Sequence, residues 1–202
     1  MFTLRPATSA DAPALTAIYD HYVTHTAVSF EDKTPSVAEF SARMEQVRAH
    51  QLPYLVAEAE GQLLGYAYAS PFSERPAYLP SVELTIYLAP NSKRQGLGRA
   101  LYQALEQELK AQGYENLYAC IATPVVTPIK DNESLLQDAL SDKQEHAFIS
   151  WDSVRFHHHL GFRLVGVFSQ CGFKFGCYFD MVFMEKLIGA HDATPSCYQE
   201  KA

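Results

Sequence analysis

The chain has little that would tie it to an oxidising compartment, a metal or a membrane. Its 202 residues hold only four cysteines, Cys120, Cys171, Cys177 and Cys197, with no Cys-x-x-Cys pair and no zinc-ligand spacing. Neither a disulfide framework nor a structural metal site is expected from them, and a reducing cytoplasm is the simplest home. Positive charge is also short. There are 16 Lys and Arg against 23 Asp and Glu, a formal net charge of −7. That balance argues against general nucleic-acid or membrane-surface binding, which need a basic face. No apolar run reaches the ~20 residues of a membrane span. The start, Met1-Phe-Thr-Leu-Arg-Pro6, lacks the basic-then-apolar order of a signal peptide. The consecutive His157, His158 and His159 do not make a metal site either, because neighbours on a helix point about 100° apart.

What is there suits a folded domain. A hydrophobic fraction of 48% and a charged fraction of 19% are ordinary for a globular protein, and the length suggests one domain over residues 1–188. Phe2 to Pro6 reads as a strand. Ser9-Ala-Asp11 is a helix N-cap signal with Pro13 in the first turn, followed by Leu15, Ile18, Tyr19 and Tyr22 at helical spacing. Pro35-Ser-Val37 opens a second helix to about His50. Pro53–Glu60 and Gln62–Ala69 read as a hairpin turning at Glu60-Gly61. Leu117–Ala122 is a further strand. Residues 123–149 break the pattern as an insertion, with one short amphipathic helix over Asp131–Leu140. Asp152 then caps a helix that stops at Gly161. Phe162–Gln170 and Phe175–Glu185 are two last strands around Cys171-Gly-Phe-Lys174, and residues 189–202 read as a flexible tail. The expected fold class is α/β (α+β), a mixed sheet with helices on its faces and one parallel crossover.

The chain is organised around residues 81–101. Val82, Leu84, Ile86 and Leu88 alternate with Glu83, Thr85 and Tyr87, the period of a strand. Pro90-Asn91 stops it. Lys93-Arg-Gln-Gly-Leu-Gly98 then places two glycines where a helix begins. Such a turn suits an anionic phosphate, because free N–H groups and the helix dipole point outward and Arg94 and Arg99 add charge. A dinucleotide-binding turn would want a third glycine, where Leu101 stands, and a P-loop would want Gly-Lys-Ser or Gly-Lys-Thr. Glu83 is an acidic residue in the most apolar strand. Burial would raise its pKa toward that of a general base working near neutrality.

These pieces resemble the GNAT superfamily of acetyl-CoA-dependent N-acetyltransferases, and within it the phosphinothricin and methionine-sulfoximine acetyltransferases. The resemblance runs through Leu4-Arg-Pro-Ala7, Ile18-Tyr-Asp20, Val28-Ser-Phe-Glu31, Leu64-Gly-Tyr-Ala67, Arg75-Pro-Ala-Tyr78 and Val82-Glu-Leu-Thr-Ile-Tyr87. It continues with Gln95-Gly-Leu-Gly-Arg99, Ser153-Val-Arg-Phe-His157, Leu160-Gly-Phe162, Gly172-Phe-Lys-Phe-Gly176 and Asp180. Lys93 stands where the superfamily pattern has Gln or Arg, and Ser150 where this family has Asn.

The resemblance implies a splayed central sheet and a pantetheine arm lying along Ile86, Tyr87 and Leu88, with a backbone N–H near Tyr87 or Leu88 polarising the thioester. It implies a cofactor pyrophosphate on Arg94, Gln95, Gly96, Leu97, Gly98 and Arg99, with Ser150 and Ser153 as further cofactor contacts. Glu83 takes the catalytic base position, and His157, which matches the family's histidine, is the second catalytic residue the resemblance implies. Phe30, Arg75 and Tyr78 fall where the acceptor pocket is lined, Arg75 being suited to clamp a carboxylate or phosphinate. Lys174 is either a second anion contact or a strand-turn lysine. The implied activity is acetyl transfer from acetyl-CoA, the co-substrate, to the primary amine of a small amino-acid-like acceptor in a ternary complex, without metal. Relatives are commonly dimers, so a homodimer is possible. Two alternatives stand beside it: another acceptor, such as a polyamine or protein N-terminus, and a non-catalytic acetyl-CoA-binding module.

Overall fold

In the computed structural model the described residues are 1–92, 95–127, 130–142, 146–191, 194–195 and 197. They hold seven strands and five α-helices in a mixed α/β fold, the class expected from the sequence. Two compact units divide the chain. The first contains Met1–Asp20, Pro35–Leu117 and the described residues from Leu187 onward; the second contains His21–Thr34 and Tyr118–Lys186.

In the first unit, β1 (Thr3–Pro6), β2 (Tyr54–Ala59), β3 (Gln62–Pro71) and β4 (Ser81–Leu88) follow one another as antiparallel neighbours. The β2–β3 turn is the expected Glu60-Gly61, with φ of 52° and 75°. Positive φ at both central positions matches the right-handed strand twist, which is why a glycine follows the first of them. α1 (Ala12–His25), which starts in this unit and ends in the second, buries Leu15, Ile18, Tyr19, Tyr22 and Val23, and α2 (Val37–Ala49) buries Phe40, Met44 and Val47. Ser36 caps α2, its Oγ accepting from Glu39 N–H, while Glu39 Oε2 accepts from Ser36 N–H at 2.7 Å. α3 (Leu97–Ala111) buries Leu97, Leu101, Leu105 and Leu109, one residue every fourth position. Each such leucine contributes roughly 1.5–3 kcal/mol.

The start of α1 differs from the expected Ser9-Ala-Asp11 cap. Those residues form a single 3-10 turn, and Thr8 precedes it as the cap, its N–H and Oγ1–H donating to Asp11 Oδ2 at 2.7 and 3.0 Å. Asp11 also receives Arg5 through a two-pronged contact at 2.8 Å on each oxygen. The guanidinium outweighs burial and holds the Asp11 carboxyl down at about 2. Because the folded value is depressed, the stabilisation is complete above the unfolded value of ~3.9 and disappears as pH falls toward 2. Its size at neutrality is about 2 kcal/mol. Urea unfolding of wild type and Asp11→Asn should therefore differ most at neutral pH and converge by about pH 2. A difference constant with pH would contradict the ion pair's role.

In the second unit, apart from the first two residues of β5 and the last of β7, β5 (Asn116–Thr123), β7 (Cys177–Leu187) and β6 (Arg163–Lys174) lie in that order, with β6 and β7 antiparallel. α4 (Asn132–Ser141) is the short helix expected inside the insertion, capped by Asp131 and burying Leu135 and Ala139. Trp151 holds the N-cap position of α5 (Asp152–His159) without a side-chain capping bond, and Asp152, the expected cap, lies one position inside. Arg155 ties α5 to the end of α4 by donating from Nε to Ala139 O at 2.9 Å. The last hairpin is also corrected. β6 continues through Cys171-Gly-Phe-Lys174, and the turn is Phe175-Gly176, with φ of 52° and 77°. A register shift between Phe168 and Gly172 disguises this, since a bulge moves the residues after it out of step with those before it. The tail expectation falls partly on residues outside the described set. Among the described residues no helix is long and apolar enough to cross a membrane.

Candidate active site

The register of β3 against β4 fixes where Glu83 points. Ser70 pairs with Glu83, Tyr68 with Thr85 and Tyr66 with Tyr87. Directly paired residues share a face. Glu83 therefore stands on the face that also carries Tyr66 and Tyr68, and Tyr54 stacks on Tyr68 at 4.8 Å between ring centroids. Tyr19 of α1 covers Tyr87 at 5.0 Å, and Phe40 of α2 covers Tyr66 at 6.0 Å. This aromatic floor leaves Glu83 half-buried, and burial alone raises its carboxyl above the ordinary carboxylate value. Tyr102 of α3 feels the same charge: burial first and the Glu83 carboxylate second hold its phenol protonated.

The same register sorts the backbone donors of β4. Phe72 N–H donates to Ser81 O and Ala89 N–H to Leu64 O. Both contacts belong to the set in which residues 81, 83, 85, 87 and 89 turn their N–H and C=O toward β3. The Tyr87 N–H is thus directed to β3, whereas those of Ile86 and Leu88 face the strand's other edge. Gly65 sits opposite Leu88. A Cβ there would meet Leu88 Cδ2 at 2.5 Å and Tyr87 O at 2.8 Å. Glycine is required because the two strands close up at the point where Leu88 is presented.

The turn after β4 is described from Gln95. Lys93 and Arg94 lie outside the described residues. Gly96 is the N-cap of α3 with φ 79°, and a Cβ on it would meet nothing within 4 Å. Glycine is needed there for the left-handed backbone rather than for room against the protein. The first intrahelical bond runs from Ala100 N–H to Gly96 O at 3.0 Å. The N–H groups of Leu97, Gly98 and Arg99 precede it and point out of the helix end. Gln95 and Arg99 are exposed beside them, while Leu97 and Gly98 are buried. A left-handed glycine, outward N–H groups and an exposed guanidinium suit an anionic phosphate ester.

α5 carries the other cofactor candidates. Ser150 is exposed, and its Oγ accepts from Asp152 N–H at 3.3 Å, so it helps start the helix. Ser153 is half-buried with its Oγ 3.5 Å from His157 Nδ1. His157 is only 2% exposed, its ring edge-on to Phe156 and Phe162 at 5.2 Å each. Its Nδ1 lies 2.7 Å from Ser153 O, a contact that only a protonated Nδ1 can make as a hydrogen bond. Burial pushes the ring down to about 4, against the weaker pull of that carbonyl. The imidazole is neutral at working pH. His158 and His159 are exposed, and among the described residues no group of three or more His, Cys, Asp or Glu is arranged to hold a metal ion.

Arg75 caps a short 3-10 turn, Pro76–Tyr78, and is exposed. Tyr78 is 41% exposed with its ring edge-on to Phe72 at 5.5 Å. Phe30 is 36% exposed and lies on the backbone of Gly172 near Phe179, at 6.3 Å between ring centroids. The choice left open for Lys174 is resolved. Its Nζ donates to Val23 O at 2.7 Å, Thr26 O at 3.0 Å and Ser29 O at 2.7 Å. Desolvation lowers its pKa, with Asp32 and Glu31 pulling the other way. All three ammonium protons go to backbone. Neither this use of Lys174 nor the Gly65 approach was singled out from the sequence. Leu64-Gly-Tyr-Ala67 carried the second signal, a glycine inside a strand, which marks a close backbone neighbour.

The acetyltransferase (GNAT) domain model matches residues 4–183. Phosphinothricin N-acetyltransferase of Alcaligenes faecalis is 35% identical over 192 residues, covering 95% of this chain and 85% of that protein. The L-methionine sulfoximine/L-methionine sulfone acetyltransferase of Salmonella typhimurium is 31% identical, covering 96% and 99%. The crystal structure of a GNAT phosphinothricin acetyltransferase from Sinorhizobium meliloti in complex with acetyl-CoA superposes with a TM-score of 0.80 at 32% identity, covering 96% of this chain and 92% of that one. The chain belongs to the GNAT acetyltransferase family and is an N-acetyltransferase. Its relatives include the phosphinothricin and methionine-sulfoximine enzymes.

Proposed function

We propose that this enzyme acetylates the primary amine of a small amino-acid-like acceptor of the phosphinothricin or methionine-sulfoximine type, by direct transfer from acetyl-CoA in a ternary complex. Acetyl-CoA supplies the activated acetyl group as a thioester. The outward N–H groups of Leu97, Gly98 and Arg99, the Gly96 turn, Gln95 and the Arg99 guanidinium hold its pyrophosphate. Arg94, Ser150 and Ser153 are proposed as further contacts, and Ile86, Tyr87 and Leu88 as the strand beside its arm. The Leu88 N–H, on the edge of β4 away from β3, is the donor for the thioester carbonyl; Tyr87 contributes its ring and not its N–H. Glu83 takes the proton that the acceptor ammonium must lose, the freed nitrogen bonds to the acetyl carbon as the carbon–sulfur bond breaks, and the second proton that this nitrogen sheds goes to the departing thiolate. Arg75 clamps the acceptor's carboxylate, with Tyr78 and Phe30 as apolar walls. His157, buried and neutral with its Nδ1–H given to Ser153 O, is assigned to the catalytic machinery as the residue that positions α5, not as a group that transfers a proton. The four cysteines are free, which supports a cytoplasmic protein. A homodimer is supported by the outer strand β6, where Phe168 is 54% and Phe173 60% exposed.

The observation that carries this reading is Glu83, half-buried with a raised pKa on an aromatic face one turn before a phosphate-type helix start. The test is thiol release from acetyl-CoA with a panel of amines. Phosphinothricin and methionine sulfoximine should release thiol well above the amine-free rate, and polyamines and peptide N-termini should not. Release with polyamines alone would move the acceptor class. Tight acetyl-CoA binding without release on any amine would make the chain a binding module.

A further inference from the structure

We propose that Gly172 and Lys174 of β6 form a seat that fixes the loop Thr26–Glu31 and, through Phe30, sets which acceptors the enzyme takes. This rests on the acceptor role given to Phe30 above. The loop leaves α1 with carbonyls that no helix can satisfy. Thr26 Oγ1–H caps Tyr22 O at 2.8 Å, and the Lys174 ammonium gathers Val23 O, Thr26 O and Ser29 O from some 145 residues further along the chain. Lys174 is 5% exposed, so these carbonyls are bound by a cation shielded from water, a charge-assisted arrangement far stiffer than a solvated loop. Its position at the end of α1 also meets the negative end of the helix dipole.

Two further contacts close the seat. Ala27 N–H donates to Phe148 O at 2.8 Å, and Ala27 packs with Ile149 and Phe179. The end of the 123–149 insertion is therefore one wall of this loop. Two residues before Lys174, on the same strand, Gly172 receives the Phe30 ring. A Cβ on Gly172 would fall on Phe30 Cε2 and Cζ, inside any real contact distance. Phe30 is thus held rigidly and yet is 36% exposed. A large apolar ring kept in place but left open to solvent is what a preorganised binding wall looks like, since its ordering is complete before a ligand arrives. Lys174 and Gly172 are positioning residues here; neither is assigned a contact with substrate.

The test compares Gly172→Ala, Phe30→Ala and the double variant by initial rates over acceptor concentration, with acetyl-CoA affinity measured by calorimetry. Each single change should raise the acceptor KM by between about tenfold and a hundredfold, as expected for a displaced positioning wall. The acetyl-CoA Kd should stay within about a factor of two, since the phosphate turn is untouched. In the Phe30→Ala background, Gly172→Ala should add nothing, because its added methyl no longer has a ring to displace. Lys174→Met should raise the acceptor KM in the same way, and Lys174→Arg, which keeps the cation and donors, should recover part of the loss. An unchanged acceptor KM in Gly172→Ala, additive effects of the two substitutions, or equal losses for both substrates would each overturn the proposal. If Lys174→Met does not fold, the Gly172 and Phe30 pair decides alone. A wild-type enzyme inactive on every amino-acid-like amine would instead remove the acceptor assignment on which the seat depends.

Discussion

Glu83→Gln is expected to lower kcat by roughly 10²- to 10⁴-fold, the range for removal of a general base, while acetyl-CoA affinity stays near wild type. Several features make the substitution a clean one. Gln has nearly the shape of Glu, so the aromatic face of Tyr54, Tyr66 and Tyr68 is not opened. Burial raises the Glu83 pKa, and among the described residues no cation pulls it back down, so the amide leaves no buried cation orphaned there. Gln lacks the charge that burial disfavours, and the folded protein should be no less stable. An equal loss of acetyl-CoA affinity and turnover would mean that Glu83 holds β4 in shape.

The second large effect is expected at Gly96. Gly96→Val places a β-branched residue at φ 79°, a region that such residues avoid. No side chain stands in the way, since nothing lies within 4 Å of a Cβ there. The whole cost is in the backbone, of the order of 1–3 kcal/mol. The turn is expected to relieve that strain by shifting the N–H groups of Leu97, Gly98 and Arg99 off their outward directions. Acetyl-CoA affinity should fall by about tenfold to a hundredfold, taking that strain as lost binding energy. The acceptor KM at saturating acetyl-CoA should change little. Gly96→Asn, a residue that tolerates the left-handed region, should recover most of the affinity. Wild-type affinity in Gly96→Val would remove the phosphate role from this turn.

Much of this was legible in the sequence for physical reasons that differ from place to place. The period-2 pattern of β4, the Glu60-Gly61 turn and the two glycines at the start of α3 are local signals, and each fold element they mark lies where they put it. The one-residue shifts at helix starts are local too: Thr8 outcompetes Ser9 because Asp11 can answer it, and Trp151 precedes Asp152. The final hairpin departs from the alternation on which strand reading depends, because a bulge between Phe168 and Gly172 breaks it. The partners of Lys174 were out of reach for another reason. Its ammonium meets carbonyls from 145 to 151 residues away, and backbone carbonyls leave no mark on residue identity. His157 is the reverse case. The motif singles it out, but only burial between Phe156 and Phe162 shows an imidazole kept neutral by its surroundings.

The role proposed for Glu83, a carboxyl on β4 with a raised pKa that accepts the acceptor's proton, shows most directly in the pH dependence of turnover. The direct measurement is kcat against pH at saturating substrates for wild type and Glu83→Gln. Because the Glu83 pKa is raised, its carboxylate form is lost as pH falls, and wild-type kcat should drop on an acid limb lying above the ordinary carboxylate value of ~4.3. In Glu83→Gln that limb should be gone and the low residual rate should be flat across it. The same limb persisting unchanged in Glu83→Gln would place the essential base elsewhere.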